Sequence, residues 1–505
     1  MKKPVYIKNN STIALADIPI LSYEQFSEQA LTLLAEPDNH CVCYYAFPRD
    51  GKLQFICCIA CDVSANIALL SHVVIRKDTH KLVSLSRNYQ AMQQWEREIA
   101  ENFGISFQGH PWPKPVRFAH DRAHRANTMD KYPFYRMESE ELHEVGVGPI
   151  HAGIIEPGHF RFICHGETVL NLEIQLGYQH RGVERLLLEQ KSLLQQTVLA
   201  ESLAGDTTIG HTLAFVLNVE ALAGIQPPIL LTVERTIALE LERIAVHTGD
   251  LSALCTDVAY QFGSAVLGAL RTPVINFMQL WCGNRFGKGL IRVGQRRFPL
   301  TVHLRSSLLT TLNDFEKRFS ATAEKMFSLP SVLHRFEKTG ILTRAQADAI
   351  GVTGMVARST GIQRDIRRSH PFGTFLDLPY EQVTLTSGDV YSRAYLRKLE
   401  IDKSLHIIRT LLERYGSDAK TEDQFAPPSF KMPSGQFALT LVEGWRGEIC
   451  HCAVTGEQGR LQHYKVVDPS FRNWLALALA VRNNEISDFP VCNKSFNLSY
   501  CGHDL

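Results

Sequence analysis

A change of residue pattern partway along the chain constrains the fold more than any other feature of the sequence. Up to about residue 85 the chain has short strand patterns with helical interludes, and from Gly148 a short β-rich stretch leads into long helical patterns. The helical patterns cover residues 186–224, 229–260, 262–284, 308–327 and 390–415. At 505 residues the chain is too long for a single ordinary core. We therefore predict an α+β N-terminal domain followed by a larger, mainly α-helical domain.

The predicted boundary between the two domains follows a segment rich in Pro, His and Arg. Before this segment, "NYQAMQQWEREIAENF" places Trp95, Ile99 and Phe103 on one stripe of an amphipathic helix that Gly104 ends. The next stretch, "GISFQGHPWPKPVRFAHDRAHRANTMDKYPF", has little periodicity and predicts an extended connection. The predicted domains are 1–125 (α+β), 126–147 (linker) and 148–505 (helical).

Five cysteines lie close together in the N-terminal region. They are Cys41, Cys43, Cys57, Cys58 and Cys61. Asp50-Gly51 between two apolar runs predicts a hairpin, so these cysteines belong to paired strands. One hypothesis is a zinc site built on Cys58 and Cys61. Strand alternation places those two side chains on opposite faces, which favours the alternative of small apolar residues in a sheet core.

Composition excludes several functional classes. Lys and Arg number 53 against 52 Asp and Glu, so the charge surplus that nucleic-acid binding needs is missing. No uninterrupted apolar stretch has the length of a membrane span, and the first residues do not form a signal-peptide pattern. The phosphate-loop, dinucleotide-fold, nucleophile-elbow and zinc-protease motifs do not occur. A cytoplasmic protein without direct NAD or ATP binding is expected, and any association with a membrane would come through partners.

A series of longer patterns carries a family resemblance. "WEREIAENFGISFQGHPWPKPVRF" resembles the signature segment of the small peripheral-arm subunit of respiratory complex I, which lies beside the quinone-site (49-kDa-type) subunit. Seven later patterns resemble, in order, the landmarks of that quinone-site subunit. They are "GPIHAGIIEPGHFRF", "GYQHRGVERL", "ELERIAVH", "GVTGMVARSTGIQRDIR", "GDVYSRAYLRKLE", "EGWRGE" and "YKVVDPSFRNW". The same landmarks occur in the large subunit of membrane-bound [NiFe] hydrogenases of the formate-hydrogenlyase and hydrogenase-4 type, in which the two regions are fused in this order.

The resemblance also shows where the chain departs from the hydrogenases. In that family two Cys-x-x-Cys pairs hold nickel, because soft thiolates suit nickel and low-spin iron. The corresponding positions here are Ala204, Thr207, Ser499 and Gly502, and none of them is a cysteine. Cys501 lies between the two late positions, and one thiolate alone cannot hold the centre. The resemblance therefore implies a nickel subunit without its metal.

Complex I lacks the same cysteines and uses the cavity to bind a quinone headgroup through a His, a Tyr and an Asp. The resemblance places the His at His151 and the Asp at Asp257, whereas the Tyr position falls on Gly205. A His beside an Asp could supply protons to a reduced acceptor. The alternative is that His151 caps a loop and that Asp257 forms a salt bridge at a helix end. The resemblance further implies that Ser499 and Cys501 line the cavity and that His151, Asp257 and Glu184 converge there.

Other charged residues carry weaker predictions. Glu184 matches a glutamate that moves protons in the hydrogenases, although Arg181 and Arg185 offer it simple ion-pair partners. Arg358 and Asp365 are expected to line the cavity, together with Arg364 and Arg367. Asp389, Arg393, Arg397 and Glu400 form a ladder of charges along one helix, which we interpret as scaffold.

The functional hypothesis is a nickel-free large subunit of a membrane-associated oxidoreductase related to complex I and to energy-converting hydrogenases, which couples electron transfer to ion translocation. A quinone is the candidate acceptor, and no cofactor is expected in the chain itself. The implied partners are a small subunit with a 4Fe–4S cluster and antiporter-like membrane subunits, with the chain on the inner face of the cell membrane. The alternative is a non-catalytic scaffold of such a complex. An active [NiFe] hydrogenase is the least favoured hypothesis.

Overall fold

A computed structural model describes residues 2–75, 81–151, 155–415 and 430–505. Its strands are β1 (Val5–Ile7), β2 (Ser11–Ala14), β3 (Ile20–Leu21), β4 (Asn39–Arg49), β5 (Lys52–Cys61), β6 (Asn66–Ile75), β7 (Lys81–Val83), β8 (Ser106–Gln108), β9 (His143–Val147), β10 (His159–His165), β11 (Thr168–Gln175), β12 (Gln436–Glu443), β13 (Glu448–Thr455) and β14 (Leu461–Val467). Its α-helices are α1 (Tyr23–Leu34), α2 (Gln93–Phe103), α3 (Val183–Glu189), α4 (Leu193–Ala200), α5 (Thr208–Ala223), α6 (Ile229–Asp257), α7 (Gln261–Cys282), α8 (Val302–Met326), α9 (Pro330–Phe336), α10 (Arg344–Ile350), α11 (Gly354–Ser359), α12 (Ile366–Ser369), α13 (Val390–Tyr415), α14 (Pro469–Ala480), α15 (Phe489–Phe496) and α16 (Tyr500–Asp504).

The N-terminal region is built on a sheet with the strand order β1-β6-β5-β4, and β3 joins β6 in parallel. The β4–β5 hairpin turns at Asp50-Gly51, where both residues have positive φ, as predicted for a two-residue turn. Helices α1 and α2 pack on this sheet. Trp95 and Ile99 on α2 are buried, and Gly104 ends the helix in the left-handed region, as the sequence predicted.

The clustered cysteines do lie on β4 and β5, but they do not form the hypothetical zinc site. Cys43 and Cys58 hydrogen-bond to Cys450 and Cys452 of β13, and all four thiols are fully buried. Burial raises the pKa of each of these thiols. Within the described ranges, no three His, Cys, Asp or Glu side chains form a group that could hold a metal ion. Cys43 and Cys58 therefore pack with Cys450 and Cys452 as small apolar residues between the two sheets.

The remainder of the chain is mainly helical, as predicted at the level of fold class. Helix α6 lies at its centre and packs against α7 and α13, and α8 packs against α7. The long predicted helices agree closely with α6, α7 and α13, and α8 begins several residues earlier than expected. The predicted helix over 186–224 is instead divided into α3, α4 and α5. The break at residues 201–207 holds the first pair of positions that the hydrogenase resemblance singled out.

Two further sheets connect the helical region to the rest of the chain. Strands β9, β10 and β11 form one antiparallel sheet, and β12, β13 and β14 form the other. Strand β2, from the first residues of the chain, pairs with β12 over Ser11–Ala14 and completes the second sheet. The N-terminal end is therefore attached to the C-terminal region, and the separate folding of residues 1–125 stays a prediction.

The segment after α2 has little regular structure, as expected, yet α2 holds it at several points. Arg97 donates to the carbonyl oxygens of Lys114 and Pro115 at 2.8 and 2.7 Å. Glu101 accepts hydrogen bonds from the backbone of Val116 and Ala119. Among the helices of the described chain, none is long and apolar enough to cross a membrane.

Candidate functional site

The two segments that resemble the nickel-binding segments meet in the structure. Ala204 and Thr207 lie in the break before α5, and Ser499 and Gly502 lie at the start of α16. All four residues are buried. The thiol of Cys501 hydrogen-bonds to the backbone of Gly205 and lies 3.4 Å from the Ser499 hydroxyl. The two segments that carry the predicted site residues therefore lie together. These residues are Ala204, Gly205, Thr207, Ser499, Cys501 and Gly502.

Arg446 joins the two segments from a third direction. It lies in the tight β12–β13 loop, where Gly447 has a φ of 142° and an added Cβ would be 2.5 Å from the Cα of Gly354. Its guanidinium donates two hydrogen bonds of 2.6 Å to Asp206 and one of 3.1 Å to the hydroxyl of Thr207. It also donates to the carbonyl oxygen of Asn497 at 2.6 Å. The close backbone approach at Gly447 therefore places a cation where the two segments meet.

Asp468, at the start of α14, occupies the space next to Gly502. A Cβ at position 502 would lie 2.6 Å from the Cγ of Asp468. Asp468 is fully buried and is fixed by His211 at 2.9 Å and by the backbone N–H of Ser470 at 2.7 Å. Burial opposes the ionisation of Asp468, but His211, Arg446 and Ser470 outweigh it and lower its pKa to about 2. A nickel centre does not fit these residues, because no thiolate is present at the four positions and a side chain at 502 would displace this carboxylate.

A buried chain of hydrogen bonds continues from Asp468. His211 Nδ1 lies 3.1 Å from His451 Nε2, and His451 Nδ1 lies 2.8 Å from the hydroxyl of Tyr464. Burial lowers the pKa of His451, which keeps that ring neutral. His211 Nε2 donates to Asp468, and His451 and Tyr464 continue the array behind it. The array therefore stabilises the ionised form of Asp468.

The loop that carries His151 reaches the C-terminal segment. His151 Nε2 donates to the carbonyl oxygen of Gly158 at 2.9 Å, and an added Cβ on Gly158 would touch the ring of Tyr500 at 2.5 Å. Glu156, on the same loop, accepts a 3.1 Å hydrogen bond from the backbone N–H of Cys501, and its side chain also hydrogen-bonds to the thiol. Burial, followed by Glu156, raises the pKa of the Cys501 thiol to about 12. Cys501 is therefore a neutral thiol between Glu156, Ser499 and Gly205.

Asp257 has different surroundings from the other predicted site residues. It is the last residue of α6 and is exposed, and the charges near it are Lys494 and Arg335. No hydrogen bond joins Asp257 to His151 in the part of the chain that the structure describes. The carboxylate of α6 that reaches the C-terminal segment is Asp250, which accepts from Asn497 at 2.7 Å and pairs with Arg397 at 2.9 Å.

Glu184 belongs to an ion-pair chain between the two regions. It accepts from Lys465 and from the backbone of Val466, both at 2.9 Å, and Lys465 also pairs with Glu98 at 2.6 Å. Arg117 completes the chain at 2.7 Å from Glu98. Although burial opposes ionisation, Lys465 and Arg117 lower the pKa of Glu184. The alternative partners from the sequence have other contacts, since Arg181 donates to backbone carbonyl oxygens and Arg185 pairs with Asp121 and Glu189.

Arg358 and Asp365 lie in a separate, fully buried charge cluster. Arg358 pairs with Glu400, with Glu443 at 2.8 Å and with Asp365 at 3.4 Å. Arg367 pairs with Asp365 at 2.7 Å, and Arg364 pairs with Asp62 of the N-terminal region. These contacts do not include Cys501, Ser499 or Gly205.

The charges of the predicted ladder along α13 contact mainly other parts of the chain, and their role as scaffold stays a prediction. Arg393 donates to Ser495 and to two backbone carbonyl oxygens, and Arg397 pairs with Asp250. Asp389 accepts from residues around the helix start. The side chains are buried and face other elements, because α13 lies inside the molecule and has little solvent-exposed surface on that side.

A small cavity lies on the other side of Gly205. It has a volume of about 30 Å³, and an added Cβ on Gly205 would meet no atom within 4 Å. Glu242 lines this cavity and accepts from the backbone N–H groups of Ile209 and Gly210 at the start of α5. Burial raises the pKa of Glu242 to about 8, although the two backbone hydrogen bonds act in the opposite direction and lower it. The space beside Gly205 is therefore open and has a carboxyl group at its edge.

Several residues of this site received no role from the sequence. Glu156, Arg446 and Asp468 each lie inside a pattern that carried the family resemblance. His451 and Glu242 reach this site because β13 and α6 pack against α5, and the sequence does not indicate that packing. The signal for Glu156 was present, because it is an acidic residue five positions after His151 in the same loop pattern.

Comparisons with known proteins match two regions of the chain to known families. Residues 23–133 match the family "Respiratory-chain NADH dehydrogenase, 30 Kd subunit", and residues 264–431 match "Respiratory-chain NADH dehydrogenase, 49 Kd subunit". Hydrogenase-4 component G of Escherichia coli K12 is 26% identical over 480 residues, which cover 92% of this chain and 80% of that protein. Formate hydrogenlyase subunit 5 of the same organism is 27% identical over 426 residues, which cover 80% of this chain and 74% of that protein. A subunit of the NADH-quinone oxidoreductase of Clostridium beijerinckii is 28% identical over 332 residues, which cover 66% of this chain and 85% of that protein.

The order of the two matched regions is the one that the sequence patterns predicted, with the smaller region first. The chain therefore contains, in one polypeptide, a region that matches the respiratory-chain NADH dehydrogenase 30 kDa subunit family followed by a region that matches the 49 kDa subunit family, and it is similar to hydrogenase-4 component G, to formate hydrogenlyase subunit 5 and to the corresponding NADH-quinone oxidoreductase protein.

Proposed function

We propose that this chain is the nickel-free large subunit of a membrane-associated oxidoreductase complex, in which electron transfer drives ion translocation. One observation supports the proposal: the positions that the hydrogenase resemblance assigns to the nickel ligands are Ala204, Thr207, Ser499 and Gly502, and they lie in two segments that meet at a polar site. The carboxylate of Asp468 occupies the space that a side chain at position 502 would need. Hydrogen chemistry on a nickel centre therefore has no support in this chain.

The polar character of the site favours a coupling subunit over a pure scaffold. Cys501 contacts both Glu156 and Ser499, and Arg446 and Asp468 bear charges in buried positions. Buried polar groups are costly unless they are paired, and a scaffold gains more from apolar side chains at such a place. The scaffold remains the alternative function, and it predicts that substitutions here change assembly and leave no separate effect on turnover.

The residues proposed for chemistry are His151 and Glu156 on one loop, with Cys501, Ser499 and Gly205 beside them. His151 Nε2 donates to the carbonyl oxygen of Gly158, so Nδ1 is the ring nitrogen left to contact a bound quinone. A quinone would supply two-electron, two-proton redox chemistry when bound. A carboxyl group within reach of the site can exchange protons with solvent or with a neighbouring group. Glu184 and Asp257 stay candidate proton-transfer residues outside this contact group.

The partners follow from the relatives. Their names refer to hydrogenase-4, formate hydrogenlyase and NADH-quinone oxidoreductase, which are multi-subunit systems. We propose a small subunit with a 4Fe–4S cluster as the electron donor to this chain and antiporter-like membrane subunits as the coupled module. The chain would then lie on the inner face of the cell membrane as a peripheral subunit.

Elemental analysis of the complex, purified through an affinity-tagged copy of this chain, tests the proposal. We expect iron from the partner and nickel far below one atom per chain. We also expect no hydrogen evolution from reduced methyl viologen, with formate hydrogenlyase prepared in parallel as the positive control. About one nickel per chain, retained through gel filtration, would overturn the proposed function.

A further inference from the structure

A second cavity, of about 270 Å³, lies where the N-terminal region meets the C-terminal region. Its walls come from α2, from the Pro-rich segment after it, from β11 and from α14. The aromatic side chains among its lining residues are Trp112, Tyr132, Phe471 and Trp474. Binding sites for small molecules commonly lie between domains and combine apolar or aromatic walls with a few polar groups. The cavity has this character, and the proposed function does not use it.

The charged lining of this cavity has an excess of cations. Arg97 donates to backbone carbonyl oxygens and to the Gln93 and Gln94 side chains, and Arg482 donates to the Asn171 amide at 2.9 Å. Neither arginine has an ion pair with a carboxylate in the described ranges.

The remaining charges of the lining are already neutralised. Arg472 is paired with Glu448 at 2.6 Å. Glu173, the acidic residue of the lining, is bound to Lys114 and also accepts from the backbone of Tyr135 at 2.7 Å. A bound molecule would therefore meet the Arg482 guanidinium without a competing anion, whereas Glu173 and Glu101 lie close enough to Arg97 to offset its charge.

We propose that this cavity is a binding site for a small planar aromatic anion. The aromatic walls favour a flat ring system, and the arginines favour an acidic group attached to it. His503 of α16 lines the cavity. A bound molecule would therefore lie beside the residue that follows Gly502. Its position between the two regions means that binding would also stabilise their contact.

The test uses the fluorescence of two dyes with the purified full-length chain. Anilinonaphthalene sulfonate is a planar aromatic anion, and phenylnaphthylamine is its uncharged counterpart. We expect saturable binding of the sulfonate, weaker binding of the amine, and a loss of sulfonate affinity at high salt because exposed charges are screened. Arg482→Gln should weaken sulfonate binding about fivefold, as expected for one partly solvated charge pair, and should leave amine binding unchanged.

Two further variants make the outcome specific to this cavity. Leu475→Trp adds bulk at a lining residue that is 38% exposed, and it should abolish binding of both dyes. Leu280→Trp, on the exposed face of α7, and Arg318→Gln, on the surface of α8, are the matched controls and should bind like the wild-type chain. Thermal melting must show that each variant is folded.

Equal effects of cavity and control variants would overturn the proposal. The proposal is also wrong if the isolated chain binds neither dye saturably. If, in addition, Trp112 is shielded from a fluorescence quencher only in the assembled complex, then a partner protein covers this cavity. Nickel content has no bearing on these outcomes, so the proposed function and this inference can fail separately.

Discussion

At the scale of single residues, two glycines of the site illustrate how space and conformation decide what each position tolerates. Gly502 and Gly205 have ordinary backbone angles outside the left-handed region, so a methyl group causes no backbone strain at either position. An added Cβ at Gly502 would lie 2.6 Å from Asp468, and one at Gly205 would meet nothing within 4 Å. The difference therefore reflects packing alone.

We expect Gly502→Ala to lower the stability of the chain by about 1–3 kcal/mol, the usual cost of overpacking a rigid buried site. Gly205→Ala is the matched control and should change stability by less than about 0.5 kcal/mol. Thermal and urea denaturation of the purified chain measure both. Equal stability of the two variants would mean that Asp468 moves freely, contrary to its hydrogen bonds with His211 and Ser470.

The lowered pKa of Asp468 leads us to predict that the stability of the chain depends on pH. Its pKa is about 2 in the folded chain, below the ordinary value for Asp. A carboxyl group with a lowered folded-state pKa contributes stability that is fully present above its unfolded pKa, near 4, and is lost as the pH falls toward 2. Asp468→Asn should remove up to about 2–3 kcal/mol of this acid-dependent stability.

Denaturation at a series of pH values between neutral and strongly acidic conditions measures this contribution. Asp314→Asn is the control, because Asp314 is an exposed partner of Arg318 on α8. An unchanged acid slope in Asp468→Asn, with a normal slope in the control, would show that Asp468 is not ionised in the folded chain.

At the scale of elements, the sequence predicted the long helices well and the broken ones poorly. Helices α6 and α13 have apolar positions at helical spacing over their whole length, so their ends were close to the predicted ones. Residues 186–224 have a similar average composition. In the structure, however, short helices begin after Gly182 (α3) and after Ser192 (α4). Local apolar spacing cannot reveal this division, because the contacts of residues 201–207 with Arg446 and Cys501 come from distant parts of the chain.

The attachment of the Pro-rich segment to α2 carries a prediction at the same scale. Glu101 accepts from the backbone of Val116 and Ala119, and its removal leaves those N–H groups without their acceptor. Glu101→Ala should therefore make residues 115–128 much more sensitive to trypsin, which cuts after Arg122 and Arg125. Glu140→Ala, at an exposed position further along, is the control and should be cleaved like the wild-type chain. Equal cleavage rates for Glu101→Ala and wild type would show that other contacts hold this segment.

At the scale of the whole molecule, the sequence patterns indicated which segments meet but not which side chains those segments contribute. The order of the family patterns located the segments around Ala204, Thr207, Ser499 and Gly502, and these segments do meet. The resemblance placed Asp257 at the cavity, but two helical turns separate it from Asp250, the α6 carboxylate that contacts the C-terminal segment. Spacing along one helix cannot tell which turn faces a neighbouring element.

This difference between carboxylates supports the last prediction, which concerns turnover of the assembled complex. Glu156 contacts Cys501, whereas Asp257 is exposed at the end of α6. Glu156→Gln keeps the side-chain shape and removes proton exchange, so it should lower quinone reduction about 100-fold or more, the usual contribution of a positioned proton-transfer group. Asp257→Asn should retain most of the turnover.

The assay follows reduction of a short-chain quinone by membranes that contain the complex, with NADH, formate or reduced ferredoxin offered as donor. Co-purification of the partner subunits provides the control for assembly, and it separates loss of chemistry from loss of structure. A Glu156→Gln complex that assembles and turns over normally, beside an inactive Asp257→Asn complex, would place the proton-transfer group at the end of α6. Loss of assembly in both would favour the scaffold, because a residue needed only for chemistry leaves the subunit contacts unchanged.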